Sequence, residues 1–235
     1  MDRVNYLTAA FINYYRRFFN VDEFYFMVHY RRQDEIKAAL KSYGFTENQM
    51  ETYIQDKFGW GDNVHNQNRL KTKFLQEGYI VIYADLDEFI FHPNLREYIV
   101  ANLVNWIVPT GISLMQHSSE PPLDKTKKIL EQRDYCKIDT HWFSKTCILK
   151  KDYEWLAGRH TKPVHAAISS DIYLVDVGKM CKDFMLENNA ESRNIYNKVF
   201  WRYSTDKKDI FNQVFAEHKG SLEKLPSIIK EHSLF

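Results

Sequence analysis

The sequence is poor in cysteine, glycine and proline, and it has no long apolar run. Among 235 residues there are 3 cysteines, 8 glycines and 6 prolines. The cysteines are scattered without a CxxC pair, which indicates neither a zinc cluster nor a disulfide framework. No run approaches the roughly 18 apolar residues of a membrane span. We therefore expect a cytoplasmic protein, and the aromatic, basic stretch at 9–19 allows at most a peripheral membrane contact.

Neither sign of charge dominates the chain. There are 32 Lys and Arg against 31 Asp and Glu, so the formal net charge is +1. This balance argues against a nucleic-acid-binding protein that relies on a broad positive field. The hydrophobic fraction of 44% argues against long disordered tracts. A chain of this composition and length is expected to form one large α/β domain, with or without a small extension.

Helical and strand-like patterns alternate along the chain. This alternation predicts a three-layer α/β sandwich with a mostly parallel central sheet. The polar stretch 187–194 predicts a boundary between a domain at 1–186 and a helical C-terminal extension, 187–235, packed on the same domain. The predicted helices lie at 9–19, 32–44, 46–59, 62–78, 93–104 and within 120–134. The predicted strands lie at 22–30, 79–84, 110–118, 170–178 and within 135–151.

The most distinctive stretch is GYIVIYADLDEFIFHP, residues 78–93, where acids follow an apolar run. The run at 79–84 predicts a strand buried on both faces. Alternation along that strand would put Asp85 and Asp87 on one face, and Glu88 would point away and pair with a nearby base. In open α/β sheets ligands bind beyond the carboxyl ends of strands, and two such carboxylates favour a divalent cation. The pattern predicts a Mn²⁺ or Mg²⁺ site at the two aspartates.

The segment YADLDEFIFHP, residues 83–93, resembles the DxDEF signature of GT-A type glycosyltransferases, and within them a family-2-like group. Residues 11–26 are similar to the opening helix of that group, and residues 143–160 to its block of Lys, short strand and Gly-x-His. One departure is YLVDVGK, 173–179, which stands where the group has a His–aromatic–Arg-Ser block. The resemblance implies a GT-A-like three-layer α/β/α sandwich. It also implies transfer of a sugar from a UDP- or GDP-sugar to a hydroxyl of a glycan or other acceptor, with Mn²⁺ or Mg²⁺.

The resemblance also implies roles for particular residues. Asp87 is expected to bind the metal directly, and Asp85 to bind it through water or to hold the donor ribose. An inverting transfer needs a general base, for which Asp139 and then His117 are preferred, whereas a retaining transfer needs none. The further candidates for the base are Glu120 and His141. The expected metal ligands are Asp85, Asp87 and His160, and the expected donor-binding residues are Asp34, Asn68, Lys71, Tyr83, Asp85 and Lys145.

Two other functions fit the acidic motif. A phosphatase of the haloacid-dehalogenase type would use Asp85 as nucleophile and Asp87 as acid and base. That motif wants Thr or Val two residues after its second aspartate, where this chain has Phe89. A non-catalytic nucleotide-sugar-binding module would keep the fold and the cation site without turnover. The departure at 173–179 is the feature that favours this alternative.

Overall fold

The computed structural model describes residues 3–53, 60–102, 104–117, 119–138, 144–156, 163, 166–177 and 222–231. The helices in these ranges are α1 Arg3–Tyr15, α2 Gln33–Ser42, α3 Trp60–Gln76, α4 Leu95–Ala101 and α5 Ser227–Glu231. The strands are β1 Phe26–His29, β2 Met50–Tyr53, β3 Val81–Ile82, β4 Glu88–Phe91, β5 Trp106–Leu114, β6 Tyr135–Ile138, β7 Ile148–Leu149, β8 Ile168–Asp176 and β9 Glu223–Lys224.

The strands form a large sheet that is mostly antiparallel and a small parallel pair. β1 and β2 make the two-stranded parallel sheet, and the other strands make a seven-stranded sheet around β5. β5 pairs antiparallel with β6 and β7 and parallel with β8, while β4 pairs antiparallel with β8. β3 and β9 extend the sheet by antiparallel pairing with β7 and β6. The predicted GT-A-like α/β/α sandwich with a mostly parallel central sheet is therefore wrong.

The segment between β5 and β6 shows one physical reason for this error. A helix was expected within 120–134, but the segment has one 3₁₀ turn at Ile129–Glu131. The Asp124 carboxylate accepts from the Thr126 backbone N–H (2.9 Å), and the Gln132 amide donates to the Asp124 carbonyl (2.9 Å). Such side-chain bonds to backbone compete with helix formation. Parallel strands require a long, usually helical crossover, and without one β6 returns antiparallel to β5.

The predicted helix at 46–59 is also wrong where the chain is described. Thr46 starts a 3₁₀ turn, Glu47–Gln49, and the Gln49 side chain accepts from the Thr46 backbone N–H (3.0 Å). The amide of Gln49 then donates to the Val21 carbonyl (2.6 Å), which is distant in sequence. Residues 50–53 continue as β2 beside β1. Pairing with a neighbouring strand thus overrides the local helical pattern.

Other expectations about the elements are confirmed. α2 ends shortly before Gly44 and α3 ends shortly before Gly78, and both glycines have φ of 88°. This left-handed conformation favours glycine after a helix. The predicted helix at 93–104 appears as α4, and the predicted strand at 110–118 overlaps β5.

The run at 79–84 differs from the predicted strand buried on both faces. Only Val81 and Ile82 are in β3, and Tyr79 is 62% exposed. The chain then turns, because the Asp85 carbonyl accepts from the Glu88 backbone N–H (2.9 Å). The two aspartates therefore lie in a turn between β3 and β4, rather than at the end of one continuous strand.

Helix α1 packs on β4 and satisfies its backbone. The Tyr15 hydroxyl accepts from the Ile90 backbone N–H (2.8 Å) and donates to the Glu88 carbonyl (3.2 Å). The Tyr14 hydroxyl donates to the Ile90 carbonyl (2.7 Å), and its ring meets Phe89 edge-on. These residues belong to the main hydrophobic core, which also contains the centre of β5 and β8. The strand after the acidic turn is thus fixed by tyrosines on one side and by β8 on the other.

The described part of the predicted C-terminal extension contacts the same core. Leu225 and Ile229 are buried in it, β9 pairs with β6, and the Lys230 ammonium binds the Leu130 carbonyl (2.7 Å). The predicted boundary at 187 stays a prediction, because residues around it lie outside the described ranges. Among the helices that the structure describes, none combines the length and apolar character that crossing a bilayer requires.

Candidate functional site

The acidic turn, residues 85–88, is organised around Glu88. This side chain is 4% exposed and forms an ion pair with the Lys145 ammonium, which is also almost buried. Its Oε2 accepts from the Asp85 backbone N–H (3.3 Å), so that one carboxylate contacts both the turn and the lysine. Glu88 therefore pairs with a base, as the sequence predicted, but it lies with Asp85 and does not point away from it.

The Asp85 carboxylate is held on both of its oxygens and remains accessible. The Tyr83 hydroxyl donates to Oδ1 (3.1 Å), and the Lys145 Nζ lies 3.9 Å from Oδ2. Tyr83 is itself oriented by the Gln67 amide, which donates to its hydroxyl (2.9 Å). The Asp85 side chain is 41% exposed. The turn thus presents a carboxylate of fixed orientation to solvent.

Asp87 lies between the turn and the end of β8. Its carbonyl accepts from the Val177 backbone N–H (2.8 Å), and its side chain is half-buried. Asp176 is directly opposite Glu88 in the β4–β8 register and opposite Ser113 in the β5–β8 register. Directly opposed residues share one face of a sheet, and like charges in such positions repel. Asp176 therefore adds a second acid beside Glu88 and increases the need for positive charge at this edge.

Sequence reasoning missed Asp176 as part of this region. It lies in YLVDVGK, which was noted only as a departure from the family pattern. The signal that identifies Asp176 is strand pairing, since Asp176 is 88 residues after Glu88 in sequence and adjacent to it in the sheet. A single sequence does not contain that pairing.

Two of the predicted donor-binding residues, Asn68 and Lys71, attach α3 to the segment 152–155. The Asn68 amide donates to the Trp155 carbonyl (2.8 Å), and its oxygen accepts from the Trp155 backbone N–H (2.9 Å). The buried Lys71 ammonium binds the Tyr153 carbonyl and the Asp152 carboxylate (2.7 Å), and it lies over the Trp155 ring. Both side chains thus hold the wall beside Tyr83, whose ring meets that of Trp155 at 5.4 Å.

The charge of Lys71 also affects Asp152. Partial burial raises the pKa of that carboxyl, but hydrogen bonds from Lys71 and Thr72 and the lysine charge outweigh burial, so the pKa lies below its ordinary value. Asp152 is therefore a carboxylate at neutral pH and serves as the counter-charge of Lys71.

The remaining predicted site residues are not brought into this network by the described contacts. His117 follows β5, its Nδ1 is 2.8 Å from Ser119 Oγ, and its ring stacks on Tyr135. It lies beyond the same strand end as Ser113, at the edge that carries the acidic turn. Asp34 lies in the first turn of α2, beyond the carboxyl end of β1 in the small sheet. Asp139, His141 and His160 lie outside the described residues.

The aspartates of the acidic turn suit a hard divalent cation. Mg²⁺ and Mn²⁺ take oxygen ligands and are commonly bound through one or two carboxylates together with water and substrate phosphates. Asp85 and Asp87 supply two partly exposed carboxylates beside a fixed lysine. Within the described ranges, no group of three or more His, Cys, Asp and Glu is arranged to hold a metal ion. The donor set therefore fits a cation that is completed by ligands from a substrate.

The chain was compared with protein-family models, with curated proteins and with solved structures, and none of them matches it.

Proposed function

We propose that this protein is a metal-dependent glycosyltransferase whose nucleotide-diphosphate sugar binds at the acidic turn. The supporting observation is that Asp85 and Asp87 are partly exposed beside a buried Glu88–Lys145 ion pair. This arrangement joins carboxylates for a cation to an ammonium for a phosphate. The resemblance of the same residues to the DxDEF signature supplies the reaction class. The acceptor would be a hydroxyl of a glycan.

Each residue of the turn has a separate task in this proposal. Asp87 binds the divalent cation, and Asp85, oriented by Tyr83, binds it through water or holds the ribose of the UDP- or GDP-sugar. Lys145 binds the diphosphate as a fixed positive charge. A divalent cation bound there would neutralise the charge that develops on the departing nucleoside diphosphate. His117 is the described candidate for the general base of an inverting transfer, alongside Asp139.

Placement in the cytoplasm is part of the same proposal. Cys136 and Cys147 are buried and are not in disulfides, and burial raises the pKa of Cys136 to about 12. Two buried cysteines outside disulfides suit a reducing compartment. We propose no nucleic-acid partner, and at most a peripheral contact with a membrane.

A binding experiment tests the acidic turn. The melting temperature is measured with Mn²⁺ alone, with UDP or GDP alone, and with both together. We expect the largest stabilisation with both, because cation and diphosphate complete each other's ligands. Asp87→Asn should lose this joint effect. Asp171→Asn is the matched control, since this exposed aspartate lies on β8 roughly 16 Å from its acidic end at about 3.3 Å per residue.

The outcomes distinguish the three functions suggested by the motif. Joint stabilisation followed by Mn²⁺-dependent release or transfer of sugar supports the glycosyltransferase. Stabilisation without hydrolysis or transfer for any nucleotide sugar indicates the non-catalytic module. Release of phosphate from simple phosphomonoesters with Mg²⁺, and without nucleotide preference, indicates the phosphatase. Equal nucleotide binding by wild type and Asp87→Asn would refute the site assignment.

A further inference from the structure

We infer that Glu88 is a positioning residue, which limits the contact of the Lys145 ammonium with Asp85 and leaves the lysine available to the donor diphosphate. This inference rests on the proposed function and adds a role to the one acid of the motif that was expected to be structural. The Lys145 Nζ meets Glu88 and also lies 3.9 Å from Asp85 Oδ2, so loss of Glu88 would shift the ammonium toward Asp85. Lys145 would then compete with the divalent cation for that carboxylate.

The two contacts of Glu88 use both of its carboxylate oxygens. Oε1 meets the Lys145 ammonium, and Oε2 accepts from the Asp85 backbone N–H at 3.3 Å. A glutamine at this position has a single acceptor oxygen and an NH₂ group that can only donate. It cannot serve the lysine and the turn together. Position 88 therefore requires a carboxylate because both of its oxygens are used, as well as for its charge.

Because the Glu88–Lys145 ion pair is buried, each of its charges depends strongly on a nearby opposite charge. The side chains of Glu88 and Lys145 are 4% and 9% exposed, whereas that of Asp85 is 41% exposed. A buried charge that loses its partner is strongly unfavourable. Asp85 lies within reach of Lys145, at 3.9 Å, and can compensate its charge. Lys145 thus contacts the buried Glu88 more closely than the exposed Asp85, and Glu88 determines how close the lysine comes to Asp85.

The surroundings hold Glu88 in place. Its carbonyl accepts from the Tyr15 hydroxyl (3.2 Å), and its strand position is paired with Asp176. The repulsion expected between two opposed acids favours one ammonium between the strand end and the turn. Lys145 comes from a separate segment, just before β7, and its ammonium contacts both Glu88 and Asp85.

Titration with Mn²⁺ alone, followed by calorimetry or by the spin-resonance signal of free Mn²⁺, tests the role of Glu88. Glu88→Gln should weaken Mn²⁺ binding about 10- to 100-fold, the usual cost of removing a partner that orients a metal ligand. Lys145→Met should bind Mn²⁺ at least as tightly as wild type, because the competing ammonium is gone. The double variant should regain Mn²⁺ affinity to within about threefold of wild type, since a neutral pair replaces the ion pair and no ammonium reaches Asp85.

A second titration, of UDP in saturating Mn²⁺, measures the other half of the role. Both variants that lack Lys145 should bind UDP about tenfold more weakly than wild type, because a charge-assisted bond to the diphosphate is lost. Recovery of Mn²⁺ binding without recovery of UDP binding is a pattern that general damage to the fold does not produce. The double variant replaces the buried ion pair with a neutral pair, so it keeps the test valid if Lys145→Met fails to fold.

The matched control is Glu23→Gln. Glu23 also accepts from a backbone N–H three residues earlier and from a distant cation, but it lies near the surface by Arg96. Glu23→Gln should leave the affinities for Mn²⁺ and for UDP unchanged. If wild type binds Mn²⁺ and Glu88→Gln binds it equally well, or if the double variant stays as weak as Glu88→Gln, the positioning role is refuted and the proposed function stands. If wild type binds no Mn²⁺, the proposed function itself is refuted.

Discussion

Two glutamates in this molecule make the same pair of contacts in opposite surroundings. Glu23 accepts from the Asn20 backbone N–H (2.7 Å) and from Arg96 (2.7 Å), and Glu88 accepts from the Asp85 backbone N–H (3.3 Å) and from Lys145. Both close a short turn onto a residue three positions earlier. The Glu23 side chain is 36% exposed, whereas that of Glu88 is 4% exposed. The local motif is therefore common to both turns, and burial separates them.

The comparison shows which features distinguish the acidic turn from an ordinary surface turn. A glutamate that caps a turn and meets a cation is ordinary surface chemistry, as Glu23 demonstrates. The region around Glu88 adds a buried lysine, an exposed Asp85 next to it and an opposed Asp176. The proposed cation site depends on this combination of several carboxylates with a buried ammonium.

The largest expected difference between the two turns is in stability. Glu88→Ala removes the buried partner of Lys145, and breaking a buried ion pair costs about 3–5 kcal/mol of the free energy of unfolding. Glu23→Ala breaks an exposed pair and should cost no more than about 1 kcal/mol. Urea unfolding of both variants measures the difference. Equal losses would show that burial does not distinguish the two glutamates.

The next prediction concerns the tyrosines that fix the strand after Glu88. Tyr15→Phe removes the hydroxyl that bonds the Ile90 N–H and the Glu88 carbonyl. A buried donor left without its partner costs about 1–3 kcal/mol, and we expect a loss in this range from urea unfolding. Tyr6→Phe is the control, because its hydroxyl makes a part-buried bond to the Lys127 carbonyl (3.0 Å). A Tyr15→Phe protein as stable as the control would contradict the anchoring of β4.

A second buried lysine, Lys71, allows the effect of removing the cation to be compared with that at Lys145. Lys71 faces Asp152, whose side chain is 48% exposed, so this acid can be hydrated when the lysine is removed. Lys71→Met should therefore cost less than Lys145→Met, which removes the ion pair of a buried Glu88. We expect about 1–2 kcal/mol for Lys71→Met from the lost bond to the Tyr153 carbonyl. The order of the two losses in urea unfolding is the test, and the reverse order would contradict it.

The sequence identified the local features of the fold better than its sheet. The glycines after α2 and α3 were predictable, because positive φ after a helix favours glycine at that point alone. The direction of β6 was not, because it depends on whether residues 115–134 cross over as a helix. Asp124 and Gln132 decide that through bonds to backbone groups, which a helical spacing of apolar residues does not reveal.

The residues of the candidate site also divide into those that a local motif predicts and those that depend on strand pairing. Asp85 and Asp87 were predicted because a short acidic motif after an apolar run is visible in one stretch of sequence, and Tyr83 because it is in that stretch. Lys145 was predicted as a donor-binding residue, whereas its ion pairs with Glu88 and Asp85 were not predicted. Asp176 was missed, because its place beside Glu88 arises from antiparallel pairing over a long separation. Asn68 and Lys71 were expected at the donor, and the structure shows both of them bonded to residues 152–155.

The smallest expected effect is the pH dependence contributed by Glu23. The hydrogen bond from Arg96 is the main cause that lowers the pKa of Glu23 below its ordinary value of 4.5. A depressed folded-state pKa stabilises the protein above the unfolded pKa, and that contribution is lost as pH falls through the folded value. The difference in free energy of unfolding between wild type and Glu23→Gln should therefore be constant near neutral pH and shrink below pH 4.5.

Because this pair is exposed, the difference should stay under about 1 kcal/mol and should decrease further in high salt. Urea unfolding of both proteins between roughly pH 3 and pH 7, at two salt concentrations, measures it across the range in which a glutamate titrates. A difference that is insensitive to salt and to pH would mean that Glu23 acts through the turn rather than through Arg96. In that case the turn at Glu23 would be as rigid as the turn at Glu88, and the two would differ only in the burial of Lys145.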